Sequence, residues 1–546
     1  MDETGHTAER TEDIMRRFIL TILAVFLCPA AARAQTTEAL LDTLQHTAFQ
    51  FFWSEASATN GLIRDRSQPG SPGSIASLGF GLSVIGVGVD HGWVGRAAGA
   101  ERVRTALQTL WTKPQGPAAS GVIGYKGLYY HFLDMGTATR TWDCELSTID
   151  TALLLAGVLD AKGYFSGTDT TEVQIRALAD SIYYRADWEF MRNLNPGIYM
   201  GWKPGTGFGG YGLWRGYNEA MILYILALGS PTHPVPATTW NYWTGGYNWS
   251  TQYGQTYVNF PPLFGHQYSH CWIDYRNIAD SYMRGKGITY FENSRRATLA
   301  QRAYAIANPY GRVGYSDSLW GLTASDGPEG YNARGAPPAQ HDNGTITPTA
   351  PLSSIPFAPE ACLPVMWKLW NTYRNSGTPA LWGPYGFHDA FNLTVGVGGA
   401  PTWWDTDYIG IDQGPIILMI ENYLNGGIWN RFMRNLDVHR GLERAGFLPV
   451  VAGVSDPPTE SEVLLAAEPN PFSESTTMRF RLATEGPVRL TVHDLAGREV
   501  ARLVDGVRPA GLHAVSLHGH GLSSGMYYYR LSSAGRSWVR KCALVR

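Results

Sequence analysis

The segment Trp142-Asp143-Cys144-Glu145-Leu146-Ser147-Thr148-Ile149-Asp150, followed directly by the apolar run 151–159, is the stretch that decides the fold. Ser147 and Asp150 have the S-x-x-D spacing of a capping box, which predicts that an apolar helix begins here. Three carboxylates and an indole ring lie within this short segment. The stretch therefore predicts a buried helix whose start is rich in acids.

The same helical pattern extends from about residue 36 to residue 448. Apolar residues recur there at three- and four-residue spacing, and loops rich in Gly, Pro, Trp and Tyr separate the segments. Long loops between short helices are typical of a ring of helix pairs with a functional site at one end. The clearest predicted helices are Leu40–Phe52, Ile75–Val87, Val103–Leu110, Ile149–Leu159, Val173–Phe190, Ala220–Leu228, Ile278–Met283, Ala297–Ile306, Leu363–Tyr373 and Ile416–Tyr423.

Composition narrows the class of protein. The 546 residues include 43 Lys and Arg against 46 Asp and Glu, so nucleic acid, which requires a basic surface, is not an expected partner. The hydrophobic share of 44% excludes intrinsic disorder. The 19 Trp and 29 Tyr are suited either to stacking on sugars or to a large aromatic core, and composition leaves both interpretations open.

A second acid stands at the predicted start of another helix. Within the segment 211–221, Asn218 is the predicted N-cap, and Glu219 opens an apolar helix that ends at Gly229. A glutamate in a first turn is favoured by the helix macrodipole alone. An aromatic environment would also raise its pKa. The aromatic residues nearest to it in the sequence are Trp202, Phe208, Tyr211, Trp214 and Tyr217.

Paired carboxylates are what glycoside hydrolysis needs. One acid gives a proton to the leaving oxygen, while the other is ionised and activates water or acts as nucleophile. Capping accounts for Asp150, whereas Asp143 and Glu145 precede the helix and are otherwise solvated loop acids. The residues give no carboxylate separation, so they leave inverting and retaining mechanisms both open.

Two segments raise the question of a metal. His266, His270 and Asp274 have four-residue spacing, but their aromatic surroundings favour hydrogen bonds to a hydroxylated ligand. Three aspartates in the segment 403–413 are reminiscent of calcium ligands, but their spacing does not match an EF-hand loop. We therefore predict no metal site and no cofactor.

The N-terminal residues 1–34 have the pattern of a secretory signal peptide. Met15-Arg16-Arg17 is a basic region, residues 18–27 are apolar, and Ala32-Arg33-Ala34 is a cleavage site, with Met15 as an alternative start. Four widely spaced cysteines follow the cleavage site, which argues against a zinc site and leaves one disulfide open.

The C-terminal residues differ in texture from the helical region. Ser455-Asp456-Pro457-Pro458 begins a predicted linker over 455–465, which would close a helical domain of residues 35–454. Short alternating apolar runs between Gly and Pro turns then predict an all-β sandwich over 466–546.

The ordered motifs of the helical region resemble the bacterial glucoamylase-like domain, and within it the secreted endo-β-1,2-glucanases. The motifs are residues 145–154, 216–221, 228–234, 264–270, 321–328, 385–392 and 410–415. The resemblance implies an all-α (α/α)6 barrel and internal cleavage of β-1,2-glucan to short sophoro-oligosaccharides. It also implies inversion, without metal or cofactor. Related domains of cyclic β-1,2-glucan synthases perform transglycosylation, so a transglycosylase remains an alternative.

The resemblance also implies site residues. We expect Glu219 and Asp143 to be the catalytic pair, with Glu145 and Asp150 as further candidates. Sugar contacts are expected from Trp142, Trp202, Trp214, Arg215, Tyr217, His266, Gln267, Trp320, Asp326, Phe387, Asp389, Asn392 and Asp412. The remaining alternatives are a hydrolase of another β-glucan and a non-catalytic glycan-binding protein of the cell surface.

The C-terminal region resembles a type IX secretion sorting domain with an immunoglobulin-like sandwich. The residues that carry this resemblance are 469–472, 492–500, 522–529 and the basic end 541–546. It implies the export machinery as a partner, and release from the outer membrane or attachment to its surface. A plain accessory module is the alternative, and we expect a monomer.

Overall fold

The computed structural model describes residues 35–450, 464, 467–482, 484–533 and 536–545. The predicted signal peptide and nearly all of the predicted linker lie outside these residues. Within the described residues, no helix combines the length and the apolar character that a membrane span requires.

Helices dominate the chain up to residue 444. They are α1 (Thr37–Ser54), α2 (Ile75–Asp90), α3 (Arg96–Thr112), α4 (Thr148–Tyr164), α5 (Thr170–Tyr184), α6 (Trp188–Arg192), α7 (Met221–Gly229), α8 (Thr238–Thr244), α9 (Phe264–Gln267), α10 (Ser281–Lys286), α11 (Tyr290–Ala307), α12 (Thr349–Leu352), α13 (Pro359–Lys368), α14 (Gly410–Leu424), α15 (Gly427–Phe432) and α16 (Leu436–Arg444). A 3-10 turn at Tyr268–Cys271 continues α9, and a π turn at Leu369–Tyr373 continues α13.

The most apolar helices lie at the centre of the domain. Helix α2 packs against α4 and α14, and α4 also packs against α7. All of α7 is buried, and so is α2 from Ile75 to Gly88. A helix that is apolar on every side must be surrounded by protein, which explains why these segments form the inner layer.

Glycines allow two of the inner helices to touch through their backbones. A Cβ atom at Gly157 of α4 would lie 1.9 Å from the carbonyl oxygen of Gly79 in α2. A Cβ atom at Gly79 would lie 2.3 Å from the carbonyl oxygen of Leu153. Only glycine permits such an approach, so this pair fixes how closely α2 and α4 pack.

The predicted helices are present, with two differences. Residues Ile278–Ala279 form a strand with Leu448–Pro449, and α10 begins after them, where Asp280 caps the helix. The predicted helix Val173–Phe190 is interrupted, because Asp187 accepts a hydrogen bond from the backbone of Phe190 and starts the separate helix α6.

Short strands connect the helices on the side where their first turns lie. They are β1 (Gly73–Ser74), β2 (Gly124–Tyr125), β3 (Leu128–Tyr129), β4 (Phe132–Leu133), β5 (Leu146–Ser147), β6 (Gly201–Trp202), β7 (Trp249–Gln252), β8 (Gln255–Val258), β9 (Ile278–Ala279), β10 (Ala324–Ser325), β11 (Asn332–Ala333), β12 (Thr345–Ile346), β13 (Trp382–Gly383), β14 (Gly386–Phe387), β15 (Phe391–Asn392), β16 (Trp403–Trp404) and β17 (Leu448–Pro449). Strand β1 pairs with β4 immediately before α2, and β5 pairs with β6 immediately before α4. These ladders hold the loops at the start of the inner helices.

The C-terminal region consists of two antiparallel sheets. Its strands are β18 (Ser475–Leu482), β19 (Gly486–His493), β20 (Glu499–Arg508), β21 (Gly511–His518), β22 (Gly525–Ser533) and β23 (Arg536–Leu544). Strand β18 pairs with β21, and the other four follow the order β20-β19-β22-β23. Strand β20 was not predicted from the sequence, because Val504 is its one buried residue and the strand lacks a clear alternating pattern.

The β-domain lies against the helical domain. Leu495 and Tyr528 are buried in the same apolar cluster as the helical core. Nη1 of Arg498 donates a 2.9 Å hydrogen bond to Oδ1 of Asn430, which lies in α15. A Cβ atom at Gly497 would lie 2.4 Å from Cβ of Asn277, so the two backbones approach closely here.

The disulfide that the sequence left open is not formed among the described residues. The free, buried thiols are those of Cys144, Cys271, Cys362 and Cys542.

Candidate active site

Three carboxylates lie at the N-terminal ends of inner helices. Asp150 and Asp412 are in the first turns of α4 and α14, and Glu219 lies in the turn just before α7. Burial is the main cause that raises the pKa of Glu219, and the charge of Asp150 raises it further. Burial also raises the pKa of Tyr268, and the charges of Asp412 and Glu219 add to that effect. These acids therefore surround a common space at one end of the helices.

His131 joins two of the predicted acids. Its Nδ1 lies 2.9 Å from Oε1 of Glu145, and its Nε2 lies 3.5 Å from Oδ2 of Asp150. Burial alone would lower the pKa of His131, but the charges of Asp150, Glu145 and Asp65 raise it to about 9. The imidazolium keeps the pKa of Glu145 below its usual range in spite of burial. At neutral pH His131 is thus a cation that holds Glu145 ionised.

The capping box predicted from the sequence is confirmed. The backbone N–H of Asp150 donates to Oγ of Ser147 at 3.2 Å, and that hydroxyl donates to Oδ2 of Asp150 at 2.5 Å. Asp150 therefore belongs both to the cap of α4 and to the His131 group.

Glu219 differs from the ionised Glu145. Its side chain is half-buried, and burial raises its pKa to about 7, with Asp150 adding to the effect. The buried ring of Tyr268 is near Glu219, since the charge of Glu219 raises the pKa of Tyr268 after burial as the main cause. Glu219 is therefore suited to hold a proton near neutral pH, whereas Glu145 is not.

Arg66, which lines the cavity described in the next paragraph, contacts three aspartates. Its Nη1 donates to Oδ2 of Asp326 at 2.8 Å and to Oδ2 of Asp407 at 3.1 Å, and its Nε lies 3.4 Å from Oδ2 of Asp65. A half-buried guanidinium shared by three carboxylates holds the loops 65–71, 326–331 and 405–409 together.

A cavity of about 470 Å³ lies beside His131 and Arg66, and its described lining does not include Glu219, Glu145, Asp150 or Asp412. The indole of Trp142 is 65% exposed at its rim, where a sugar ring can stack on it. Trp142 and Asp143 both have left-handed backbone, with φ of 57° and 50°, a strained geometry that occurs often at functional sites. The lining residues are Asp65, Arg66, Gln68, Pro69, Gly70, Ser71, His131, Phe132, Trp142, Tyr331, Ile409 and Ile411.

Asp143 is far more exposed than the other candidate acids. Its side chain is 78% exposed and forms ion pairs with Arg140 at 2.6 Å and with Lys203 at 3.5 Å. The hydrogen bond and charge of Arg140 lower its pKa. Asp143 is therefore an exposed, ionised residue, and its pairing with Glu219 stays a prediction.

Several residues expected to contact sugar are instead part of the protein interior. Nε1 of Trp214 donates to Oγ1 of Thr148 at 3.0 Å, and Nε2 of Gln267 donates to the backbone of Ala350 at 2.7 Å. Because these side chains are buried and satisfied within the protein, they support the cavity from behind. The other expected contacts that lie in the interior are Tyr217, His266, Trp320, Phe387 and Asn392. Among the described residues, Nδ1 of His266 and Nε1 of Trp320 have no hydrogen-bond partner.

The other expected contacts remain near the surface or in the acid cluster. Trp202 is half-buried against Tyr125, and the exposed Arg215 packs over the ring of Tyr242. Neither Trp202 nor Arg215 lines the cavity described above. The remaining contacts, Asp326, Asp389 and Asp412, lie behind Arg66 and Tyr331.

The spaced histidines do not form a metal site in the described structure. Nε2 of His266 donates to the carbonyl of Phe260 at 3.1 Å, and burial lowers its pKa to about 3. Asp274 instead pairs with Arg276 at 2.7 Å.

Sequence reasoning assigned no role to Asp65, Arg66, His131 or Tyr331. An Asp between two Arg residues in a Gly- and Pro-rich loop was the available signal at 64–66, but the partners of Arg66 lie 260 and 341 residues away. Only the fold brings them together.

A helical domain with partly buried acids beside a cavity, and an exposed tryptophan at the cavity rim, is an arrangement typical of glycoside hydrolases. Residues 212–436 match the family described as "Putative glucoamylase". The solved structure of a putative glucoamylase from Bacteroides uniformis is 36% identical, with a TM-score of 0.69, and the match covers 76% of this chain and 98% of that one. The chain therefore belongs to this glucoamylase-like family.

Two further relatives have a described substrate. The endo-β-1,2-glucanase of Chitinophaga pinensis, solved with sophorotriose and glucose, is 30% identical with a TM-score of 0.69, and the match covers 76% of this chain and 99% of that one. The exo-β-1,2-glucooligosaccharide sophorohydrolase (non-reducing end) of Parabacteroides distasonis is 32% identical over 450 residues, or 76% of this chain. The chain spans 59% of the length of that curated relative.

Proposed function

We propose that the protein is a glycoside hydrolase that cleaves β-1,2-glucan. The observation that carries this proposal is the contrast between Glu219, whose pKa is raised to about 7, and the ionised Glu145 beside His131. Two acids kept in different protonation states are what hydrolysis of a glycosidic bond requires. The β-1,2 linkage is supported by the described substrates of the Chitinophaga and Parabacteroides relatives.

In this mechanism, Glu219 gives its proton to the glycosidic oxygen as the bond to the anomeric carbon breaks. Water adds to that carbon, and a carboxylate of the Glu145–Asp150 group accepts the proton that the water loses. His131 does not react but holds Glu145 ionised and keeps Glu145 and Asp150 in place. The rim indole of Trp142 stacks on a sugar ring and positions the chain.

The proposal includes internal cleavage with inversion of the anomeric centre. Internal cleavage is supported by the similarity to the Chitinophaga enzyme, whereas the Parabacteroides relative is described as an exo enzyme, which makes release of sophorose from the non-reducing end the second candidate. A transglycosylase is a third. The products distinguish these three activities. Internal cleavage gives a ladder of short oligosaccharides, and exo cleavage gives sophorose from the first time point. A transglycosylase gives cyclic and elongated chains.

The helical domain is proposed to be an (α/α)6 barrel. The apolar helices α2, α4, α7 and α14 would form part of its inner ring, and the packing of α3 on α5 part of its outer ring. The C-terminal domain is proposed to be an immunoglobulin-like sandwich, which its two antiparallel sheets support.

We further propose that the protein is exported, and that the C-terminal domain is a type IX sorting domain. Fusing residues 455–546 to a periplasmic reporter in a host with this machinery would test the role. Reporter on the cell surface or in the medium supports it, and reporter retained in the periplasm supports a plain accessory module.

The first experiment is product analysis of residues 35–546 incubated with linear β-1,2-glucan, with laminarin and cellulose in parallel. Products from β-1,2-glucan alone support the proposed linkage. Products from laminarin or cellulose would indicate a hydrolase of another β-glucan. Micromolar glucan binding without new reducing ends would indicate a binding protein.

A further inference from the structure

Three aspartates from separate segments meet behind the Arg66 wall of the cavity. Asp326 follows β10, Asp389 follows β14 and Asp405 follows β16. One carboxylate oxygen of each lies within 4.8 Å of the other two. All three lie at least 260 residues after Arg66 in the sequence, and each follows a different strand. Only the fold brings them together.

Backbone hydrogen bonds fix the loops that carry these acids. The N–H of Asp389 donates to the carbonyl of Asp407 at 2.9 Å, and the N–H of Asp405 donates to the carbonyl of Ala390 at 3.1 Å. The N–H of Asp326 donates to Oδ2 of Asp389 at 2.8 Å. The carboxylates therefore cannot move apart easily to relieve their repulsion.

Several of the oxygens in this group have no donor among the described residues. They are Oδ1 of Asp389, Oδ2 of Asp405 and Oδ2 of the neighbouring Asp412. These three side chains are only 3%, 6% and 3% exposed. Burying a carboxylate without a partner costs several kcal/mol, so the group needs positive charge or protons from elsewhere.

The neighbouring guanidiniums do not supply that charge. Arg66 is engaged with Asp326, Asp407 and Asp65. Arg334 directs its Nη1 to the carbonyls of Ser325 and Asp326. Within the described residues, Asp389, Asp405 and Asp412 form no ion pair with any Lys, Arg or His.

We propose that Asp326, Asp389 and Asp405 bind a divalent cation of the Ca²⁺ class, with Asp412 beside them. Ca²⁺ takes oxygen ligands at about 2.3–2.6 Å, so two oxygens on the same ion lie at most about 5 Å apart, as these do. The site differs from the metal-free expectation drawn from the sequence. It ties together the loops at 326, 389 and 405, and does not depend on the proposed reaction.

The competing explanation is a shared proton. Burial and the charges of neighbouring aspartates raise the pKa of Asp389, Asp405 and Asp412, so a proton shared among these carboxyls would also relieve their repulsion. The two explanations predict opposite effects when one charge is removed without a change of shape. In Asp405→Asn, a cation site loses a ligand, whereas a proton-sharing cluster loses repulsion.

The test uses residues 35–546 dialysed against EDTA, together with Asp405→Asn and the control Asp143→Asn, whose carboxylate is exposed on the rim. We expect Ca²⁺ in excess to raise the Tm of the unmodified protein and of the control by about 2–4 °C, and to have no effect on Asp405→Asn. A Tm for Asp405→Asn that exceeds that of the unmodified protein, with no Ca²⁺ response in either, would overturn the proposal.

A second measurement does not require a folded variant. Tb³⁺ binds Ca²⁺ sites and is excited by nearby aromatic rings, and Tyr331 lies close to these acids. We expect Tb³⁺ emission on excitation of the unmodified protein, displaced by Ca²⁺ at a stoichiometry of about one per chain. Absence of displaceable Tb³⁺, together with no bound metal by elemental analysis, would overturn the proposal even if Asp405→Asn does not fold.

Discussion

Nδ1 of His131 lies 2.9 Å from Oε1 of Glu145, while the other nitrogen of the same ring faces Asp150. The neighbouring charges raise the pKa of His131 from 6.5 to about 9. The folded protein therefore holds this proton more tightly than the unfolded chain does. This interaction stabilises the fold fully below about pH 6.5 and is lost as the pH rises through about 9.

The stability prediction uses His131→Gln. We expect the unmodified protein to lose on the order of 2–3 kcal/mol of unfolding free energy between pH 6.5 and pH 9.5 through this group, and the variant to lose much less. Urea unfolding at several pH values measures the difference. An equal pH dependence in both proteins would show that His131 is not the titrating group.

Glu219→Gln is expected to lower kcat by about 10²–10⁴-fold, because an amide keeps the shape of the acid but has no proton to give. Reducing-end formation from β-1,2-glucan measures the loss, and an unchanged Tm shows that the fold is intact. Asp143→Asn is the matched control. Since Asp143 is 78% exposed and paired with Arg140, we expect less than about a tenfold change, or ~1.4 kcal/mol of barrier. The reverse order of effects would restore Asp143 as the catalytic partner.

The pH profile of kcat/KM should reflect the proton on Glu219. Burial raises its pKa from 4.5 to about 7, so the protonated, active form decreases as the pH rises above about 7. We expect kcat/KM to decrease at alkaline pH, with a midpoint near pH 7. The residual activity of Glu219→Gln should not show this decrease. A midpoint near 9 in the unmodified protein would indicate His131 instead.

Trp142→Ala is expected to weaken substrate binding more than chemistry. The indole is 65% exposed at the rim and makes one ring contact, with Phe132 at 5.2 Å, so its loss should leave the core intact. We expect KM to rise about tenfold, ~1.4 kcal/mol, with kcat within about threefold. Trp111→Ala, a 40% exposed tryptophan that does not line the cavity, serves as control. Equal changes in both variants would remove Trp142 from the binding site.

Gly157→Ala is expected to destabilise the protein by about 3 kcal/mol or more, because the new Cβ would lie 1.9 Å from a backbone oxygen that cannot move aside. Gly285→Ala is the control, since nothing lies within 4 Å of the added atom in the short helix α10. There alanine should be neutral or stabilising by up to about 1 kcal/mol. Similar unfolding midpoints for the two variants would contradict the backbone contact.

The sequence predicted what depends on local patterns. The capping box at Ser147 and Asp150 and the apolar segments of α2, α4 and α7 are all visible over a few residues, and the structure confirms them. Glu219 was recognised by its aromatic neighbours, and its raised pKa agrees with that reasoning.

What the sequence could not show depends on distance along the chain or on burial. Arg66 meets Asp326 across 260 residues, and no local pattern marks such a pair. Trp214 and Tyr217 were read as sugar contacts because aromatic residues serve both ligands and cores, and only burial separates the two uses. Asp143 looked like Glu145 in sequence, but its backbone is left-handed and its exposed carboxylate pairs with the buried Arg140.

The contact between Gly79 and Gly157 has a consequence for protein engineering. Because peptide groups rather than side chains set the spacing of α2 and α4, repacking the core around them would not alter that spacing. The loop that precedes α2 carries Arg66, and the segment that precedes α4 carries both His131 and Trp142. These loops can therefore be redesigned to change the chain-length preference. The spacing between α2 and α4 would stay the same, because it does not depend on the neighbouring side chains.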